Sequence, residues 1–360
     1  MFGSAYIENY RSGDRRRYFY LNRLAKHHAV ATSSFSLTLS PRTAMVLRTS
    51  MLDILPVELL LLIKDHIPDV DLRTHVCFSQ VCGSASKAVY SELEWEKACV
   101  KFGLSLVEGE DEETVSWRDL VYEVIRRDGF CDHPLCGVRR LEQNYYEMSK
   151  LSLKDYTRNS LQRILDGETI CEMTGSYTGF MSTNTLLAHV DFSRDPHTRV
   201  ANDGFLRTRG APQQYEHHSP RSALFNHPIA YRSFATFAPT SSAQLVTLGS
   251  IPIVRNPSGV TVWDVFSAVQ SRLDASDSIH RMNEYLRFVD YRKALCSRVD
   301  DLTFLLNRLT SLREFFHIFR WDGLYYAGQD SNRVPCFAIG FKTVRKVVKG
   351  VPEPQLICAV

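Results

Sequence analysis

The most restrictive feature of this chain is a run of five apolar residues, Leu59-Leu-Leu-Leu-Ile63, set between Glu58 and Lys64. A surface helix confines its apolar residues to one stripe. Five in succession cover the full circumference of a helix, so this one has to be covered on more than one side. Pro56 stands where a first-turn proline belongs, because its missing N–H has no partner to lose there. Strong helix formers run from Val57 to Ile67, and Pro68 predicts the stop. The run is far too short to span a bilayer. It suits either a central helix inside one domain or a helix with its own core on one side and a partner on the other.

The residues downstream favour a partner. The chain continues Ile67-Pro-Asp-Val-Asp-Leu-Arg-Thr-His-Val76, then Ser79-Gln-Val-Cys82, then Leu93-Glu-Trp95-Glu-Lys-Ala-Cys99. Asp69 is placed to cap a second helix, and Ser84 or Ser86 lies near a further turn. In order and spacing this resembles the F-box family: a Leu55-Pro56-x-Glu58-Leu59 opening, an Asp71-Leu72 step, a Val81-Cys82 pair and a closing Leu93-x-Trp95-x-x-x-Cys99. The resemblance covers about 50 of the 360 residues. It implies a three-helix module over 52–107 that binds a Skp-type adaptor and, through it, a cullin. By position, Leu55, Pro56, Leu59, Leu60, Ile63, Leu72 and Val76 would take the adaptor-facing places. Val81 and Cys82 would take the Val-Cys place, and Trp95 would close the module on its own core. Where the family has a basic residue and a tryptophan after the Val-Cys pair, this chain has Gly83-Ser-Ala-Ser-Lys87, so its third helix is expected to start differently.

Charge narrows the other possibilities. Lys and Arg number 43 against 40 Asp and Glu, a net of +3 that gives no general case for nucleic acid or an acidic membrane as partner. The positive charge is concentrated in residues 1–50, where Arg11, Arg15, Arg16, Arg17, Arg23, Lys26, Arg42 and Arg48 face only Glu8 and Asp14. That segment is expected to be a disordered basic arm. A transit peptide, or a translation start at Met45 or Met51 instead of Met1, are the other readings. No apolar stretch reaches the length of a membrane helix, and none near residue 1 reads as a signal peptide. Nine cysteines, odd in number and scattered, suit free thiols in a reducing compartment, cytoplasmic or nuclear.

Beyond the F-box, Glu108-Gly-Glu-Asp-Glu-Glu113 reads as an acidic, solvated break. Trp117, Leu120, Val121, Val124 and Ile125 fall at helical spacing and predict one buried face. Residues 114–224 are expected to be a helical linker and then an irregular segment, with strands near Gly179–Met181 and Leu186–Phe192. From 225 to 360 an α+β domain is expected. It has short strands at Ala235–Phe237, Ala243–Leu248 and Ile251–Arg255, a turn at Asn256-Pro-Ser-Gly259 and a helix capped by Thr261. A helix over Leu302–Phe319 and strands at Cys336–Phe341 and Thr343–Val348 complete it. The fold class is therefore α+β. Residues 227–275, from His227-Pro-Ile229 to Thr261-Val-Trp-Asp-Val265, with Phe319-Arg-Trp-Asp-Gly-Leu324 as a later part, resemble a fungal domain of unknown function. The aromatic segment Trp321–Tyr326 is either an interface anchor or core.

Cys131-Asp-His133-Pro-Leu-Cys136 offers three zinc-type donors, with Cys99 as a conceivable fourth. No second close pair completes the site. Buried thiols around a His-Pro turn are thus the preferred reading, with no metal or cofactor. The same Cys-x-His-Pro-x-Cys-Gly pattern after an F-box resembles basidiomycete fungal proteins. Gly175-Ser-Tyr-Thr-Gly179 misplaces the serine of a nucleophile elbow, His217-His218 reads as a solvated loop, and no phosphate loop or His-Glu-x-x-His is present. Propeller and leucine-rich repeats are missing as well, since Trp263-Asp264 and Trp321-Asp322 are isolated dipeptides. The expectation is a non-enzymatic, substrate-recruiting adaptor of a Skp–cullin–F-box ubiquitin ligase. The alternatives are a scaffold or regulator with an F-box-like module outside any ligase, or an enzyme with a helical extension.

Overall fold

The computed structural model describes residues 55–110, 113–131, 133–151, 158–166, 181–192, 205–207, 221–247, 253–275, 279–280, 282, 309–332 and 334–343. The basic arm, Met45, Met51, Gly175–Gly179 and His217-His218 lie outside them. Leu52–Val360 is one compact unit, distinct from Met1–Met51.

Its first part is helical. Helix α1 (Val57–Asp65) starts at Pro56, whose carbonyl accepts from the N–H groups of Leu59 and Leu60. Helix α2 (Leu72–Val81) is capped by Asp71, whose carboxylate accepts from Thr74 N at 3.1 Å. The cap expected at Asp69 is thus displaced by two residues. The turn Pro68–Asp71 brings the nearer aspartate to the helix end, and Asp69 instead pairs with Lys101 at 2.8 Å. Gly83, at φ +53°, turns the chain into a 3-10 turn (Gly83–Ala85) and a short α3 (Ser86–Val89). Helix α4 (Glu92–Lys101) opens with a capping box in which Ser91 and Glu94 satisfy each other's backbone N–H groups. Helix α5 (Trp117–Arg127) buries Trp117, Leu120, Val121, Val124 and Ile125, the face that the spacing predicts. Helices α6 (Val138–Ser149) and α7 (Arg158–Leu165) complete this part.

The second part mixes short strands with helices, so the described region is α+β. Strands β1 (Ser182–Thr183) and β5 (Thr236–Phe237) pair, and β2 (Val190–Asp191), β3 (Phe205–Arg207) and β4 (Arg221–Ala223) form a small antiparallel sheet. The main sheet has the order β7-β6-β9-β8, built from β6 (Ser242–Leu245), β7 (Ile253–Arg255), β8 (Phe319–Gln329) and β9 (Pro335–Thr343). Strands β6 and β9 are parallel, and the other pairs are antiparallel. Helix α8 (Pro228–Arg232) leads into β5, and α9 (Val262–Gln270) carries a Thr261–Asp264 capping box. Of the helix expected over Leu302–Phe319, residues 302–308 lie outside the described residues, 309–311 are not helical, α10 spans Leu312–Ile318, and the chain is a strand from Phe319 on. Trp321 lies on β8 at 1% exposure, and its indole N–H donates to the carbonyl of Leu187. It is core and not an anchor at the surface.

Three hydrophobic clusters form the described interior, the smallest of them Val100, Met148, Leu161, Leu165, Phe234 and Phe237. Leu60, Leu72, Val76, Trp95, Phe102, Leu120 and Val124 make the first, and Ile229 of α8 reaches into it. Leu135 and Cys136 join the second, with Leu187, Phe192, Val265, Phe266, Trp321 and Phe337. The acidic segment expected to be solvated ties these parts together. Arg232 donates two hydrogen bonds to Glu110, at 2.6 and 2.9 Å. The N–H of Glu108 donates to buried Asp264 at 2.8 Å, and Asn256 bridges Asp264 to the carbonyl of Leu106. Glu108, Gly109 and Glu113 are exposed, as expected of a solvated segment, whereas Glu110 is half-buried against Arg232, 122 positions away.

Candidate functional site

Helix α1 has nine residues and buries one of them, Leu60. Its ties to the rest are specific: Leu60 enters the first core, and Lys64 donates to the carbonyl of Val89 at 2.8 Å and pairs with Glu94. The Lys64 ammonium also sits 4.7 Å over the ring of Tyr90. Everything else apolar in the run is open. Leu59, Leu61, Leu62 and Ile63, together with Val70 before α2 and Val81 at its end, are between 37% and 55% exposed. Leu59, Leu62 and Ile63 stand three and four residues apart, on one helix face.

This divides the nine residues that the F-box resemblance assigns to an adaptor. Leu59, Ile63, Val81 and Pro56 are exposed, and Leu55 is half-buried against the first core. Leu60, Leu72, Val76 and Cys82 are at most 2% exposed and face inward, so their assignment to a partner surface is corrected. The fold needs at least one stripe of α1 and α2 for its own core, and these four fill it. Assignment by position passes over Leu61, Leu62 and Val70, although the all-round apolar run already signals two of them. Trp95 lies in the first core, stacked on Tyr90 at 4.6 Å and edge-on to Tyr122 at 5.9 Å.

A second constellation lies where the two parts join. Asp128 caps the C-terminus of α5, Cys136 closes the turn before α6, and His227 stands just before α8. A carboxylate oxygen, the thiol sulfur and a ring nitrogen from these three lie within 4.8 Å of one another, and all three residues are buried. Nδ1 of His227 is 3.3 Å from Oδ1 of Asp128. Burial raises the Asp128 carboxyl against the opposing effect of His227. The Cys131–Gly137 turn is wound tightly. Val138 N donates to the Cys131 carbonyl at 2.9 Å, His133 N donates to Cys131 Sγ at 3.3 Å, and Gly137 N donates to the His133 carbonyl at 2.9 Å. Nδ1 of His133 accepts from Leu135 N at 3.2 Å and is 3.7 Å from Cys136 Sγ. Burial, with the charges of His227 and His189, lowers the His133 pKa to about 4.

Of the four metal donors that the sequence suggests, Cys131, His133 and Cys136 share this turn. Cys99 sits on α4 in the first core and is not in the three-residue cluster. Asp128 and His227 escape a reading of the sequence, since nothing local marks them and 99 positions separate them. The turn has no room for a side chain at Gly137, where a Cβ would stand 1.7 Å from the Cys131 carbonyl oxygen. Gly137→Ala therefore forces that turn open and is expected to cost about 1–3 kcal/mol, measured by urea unfolding.

Comparison with family models, curated proteins and solved structures finds no match to this chain. Among the described residues, no helix is long and apolar enough to cross a membrane.

Proposed function

We propose that this chain is the substrate-recruiting adaptor of a Skp–cullin–F-box-type ubiquitin ligase, acting in the cytoplasm or nucleus. It would hold a Skp-type partner on the open face of α1 and the exposed ends flanking α2. The observation that carries this reading is the imbalance of α1, a helix apolar all round of which the fold covers one residue. Contiguous exposed apolar residues on one face mark a docking surface. An apolar helix face laid into a partner's groove is a common mode of recognition. Each such side chain fully buried is worth about 1.5–3 kcal/mol before the costs of association. On this reading the chain needs no catalytic residue of its own. It works by proximity, holding a target near the ubiquitin carrier and raising its effective concentration. The mixed second part, with its main sheet, is the proposed seat of the target.

The test uses the full chain, because Leu60 and Trp95 pack in one core with Val121, Val124 and Ile229, which a short fragment would lack. Wild type and Leu59→Asp/Leu62→Asp are compared for binding to a purified Skp-type adaptor by surface plasmon resonance. The double variant is expected to weaken binding at least about 100-fold, since it puts two charges into a buried apolar contact. Its unfolding midpoint should barely move, because both positions are exposed. A folded wild type that does not bind, or a variant that binds as well, would refute the proposal. Adaptor binding without co-purification of a cullin would favour a scaffold outside the ligase.

A further inference from the structure

We propose that Asp128, His133, Cys136 and His227 form a structural zinc site that clips the end of α5, the Cys131–Gly137 turn and the start of α8 together. This inference is independent of the adaptor reading and rests on a different part of the molecule.

Three of the four donors already lie near the spacing of a bound ion, and the fourth, His133, stands outside that group, next to Cys136. Zinc with bonds of about 2.0–2.3 Å sets its tetrahedral donors roughly 3.5 Å apart. The donor atoms of Asp128, Cys136 and His227 already fall within 4.8 Å of one another, so an ion draws them in by about 1 Å. Nδ1 of His133 stands 3.7 Å from Cys136 Sγ, within the span of one tetrahedral edge. To bind, it exchanges the N–H of Leu135 for the metal.

Burial gives the second argument. Asp128, His133, Cys136 and His227 are exposed by only 3%, 1%, 1% and 4%. The buried Asp128 carboxylate faces the ring of His227 and the backbone N–H of Ile229, and its Oδ2 makes no hydrogen bond of good geometry among the described residues. A buried carboxylate with so few donors is costly to keep charged, and a cation offsets that cost. The charges also balance. One carboxylate and one thiolate neutralise a dication, and two neutral imidazoles complete the shell, so the loaded site carries no net charge. Sulfur with two imidazoles selects zinc over magnesium or calcium, which prefer oxygen. Four protein donors leave no open position for a substrate, which makes the site structural. On binding, the Cys136 thiol proton leaves to solvent, and the sulfur donates its electron pair to the metal.

A ligand set that spans residues 128 to 227 forms only in the folded chain, so its binding energy adds to folding. The first experiment takes full-length wild type, purified and stripped with a chelator, then titrated with Zn²⁺ or Co²⁺. About one zinc per chain should survive dialysis. The cobalt form should show the visible bands of a tetrahedral centre and a thiolate-to-metal charge-transfer band. Zinc should raise the unfolding midpoint by at least about 5 °C, and chelation should reverse the shift. Cys136→Ser and His227→Ala should lose the charge-transfer band and the zinc-dependent shift, respectively. Cys99→Ala, outside the cluster, should keep both. Failure of the folded wild type to bind either ion would overturn the proposal. So would a cobalt spectrum without the thiolate band, or a Cys136→Ser chain that binds zinc as wild type does. Loss of the metal in Cys131→Ser would also overturn it, by replacing His133 with Cys131 in the set.

Discussion

Glu110→Ala is expected to destabilise the protein by about 3 kcal/mol, although Glu110 lies in an acidic segment that looks dispensable. Its partner Arg232 is 4% exposed and takes both carboxylate oxygens. Removing one member of a buried pair strands the other charge, at a cost of about 3–5 kcal/mol. The low end applies because the carboxylate keeps some access to water, with 27% of its side chain exposed. Glu110→Gln retains an acceptor for the guanidinium and should lose less. The pH dependence is a separate check. Burial pushes the Glu110 carboxyl up, but the hydrogen bonds and charge of Arg232 outweigh it and hold its pKa below the ordinary value. A carboxylate depressed in the folded state contributes stability above its unfolded pKa of about 4.3, and loses it as pH falls through the folded value. Wild type and Glu110→Gln should therefore differ at pH 7 and converge in acid. Equal stability of the two at pH 7 would show that the pair contributes nothing.

Leu60→Ala and Leu59→Ala should differ sharply, though they are neighbours of the same type. Leu60 is fully buried in the first core, and its truncation removes transfer energy and leaves a cavity, about 2–5 kcal/mol in total. Leu59 is 46% exposed, so its truncation should change stability by less than about 0.5 kcal/mol. On the proposed adaptor reading, the order of the two effects on binding should reverse. Leu59→Ala should weaken it directly, while Leu60→Ala should act only through the fraction of chain left folded. Denaturant unfolding alongside binding separates the two effects. Similar stability losses at both positions would mean that α1 is covered on both faces by its own chain.

The helix that buries Trp117, Leu120, Val121, Val124 and Ile125 is legible directly in the sequence, because a 3.6-residue period is a local property. So are the Thr261 cap and the short strands β5, β6 and β7, up to three residues at their ends. The start of β8 at Phe319 is not legible. Residues 319–324 come after a helical segment without a break, and β8 is a strand because β9 pairs with it along its length. The inward and outward residues of α1 are indistinguishable for a similar reason. When every position from 59 to 63 is apolar, periodicity carries no phase, and only the packing of Leu60 against the core orients the helix.

The sequence by itself determined the helical opening and its proline stop, the α+β class, and an apolar run that covers the whole circumference of its helix. Those come from dihedral preferences and local period, which neighbours in the chain decide. Tertiary structure decided which leucines remain open, that Glu110 answers Arg232, and that Asp128 meets His227 and Cys136 in a dry junction. The Glu110–Arg232 and Asp128–His227 contacts join residues 122 and 99 positions apart. No local pattern encodes such pairs, because the chain brings them together only when its cores close.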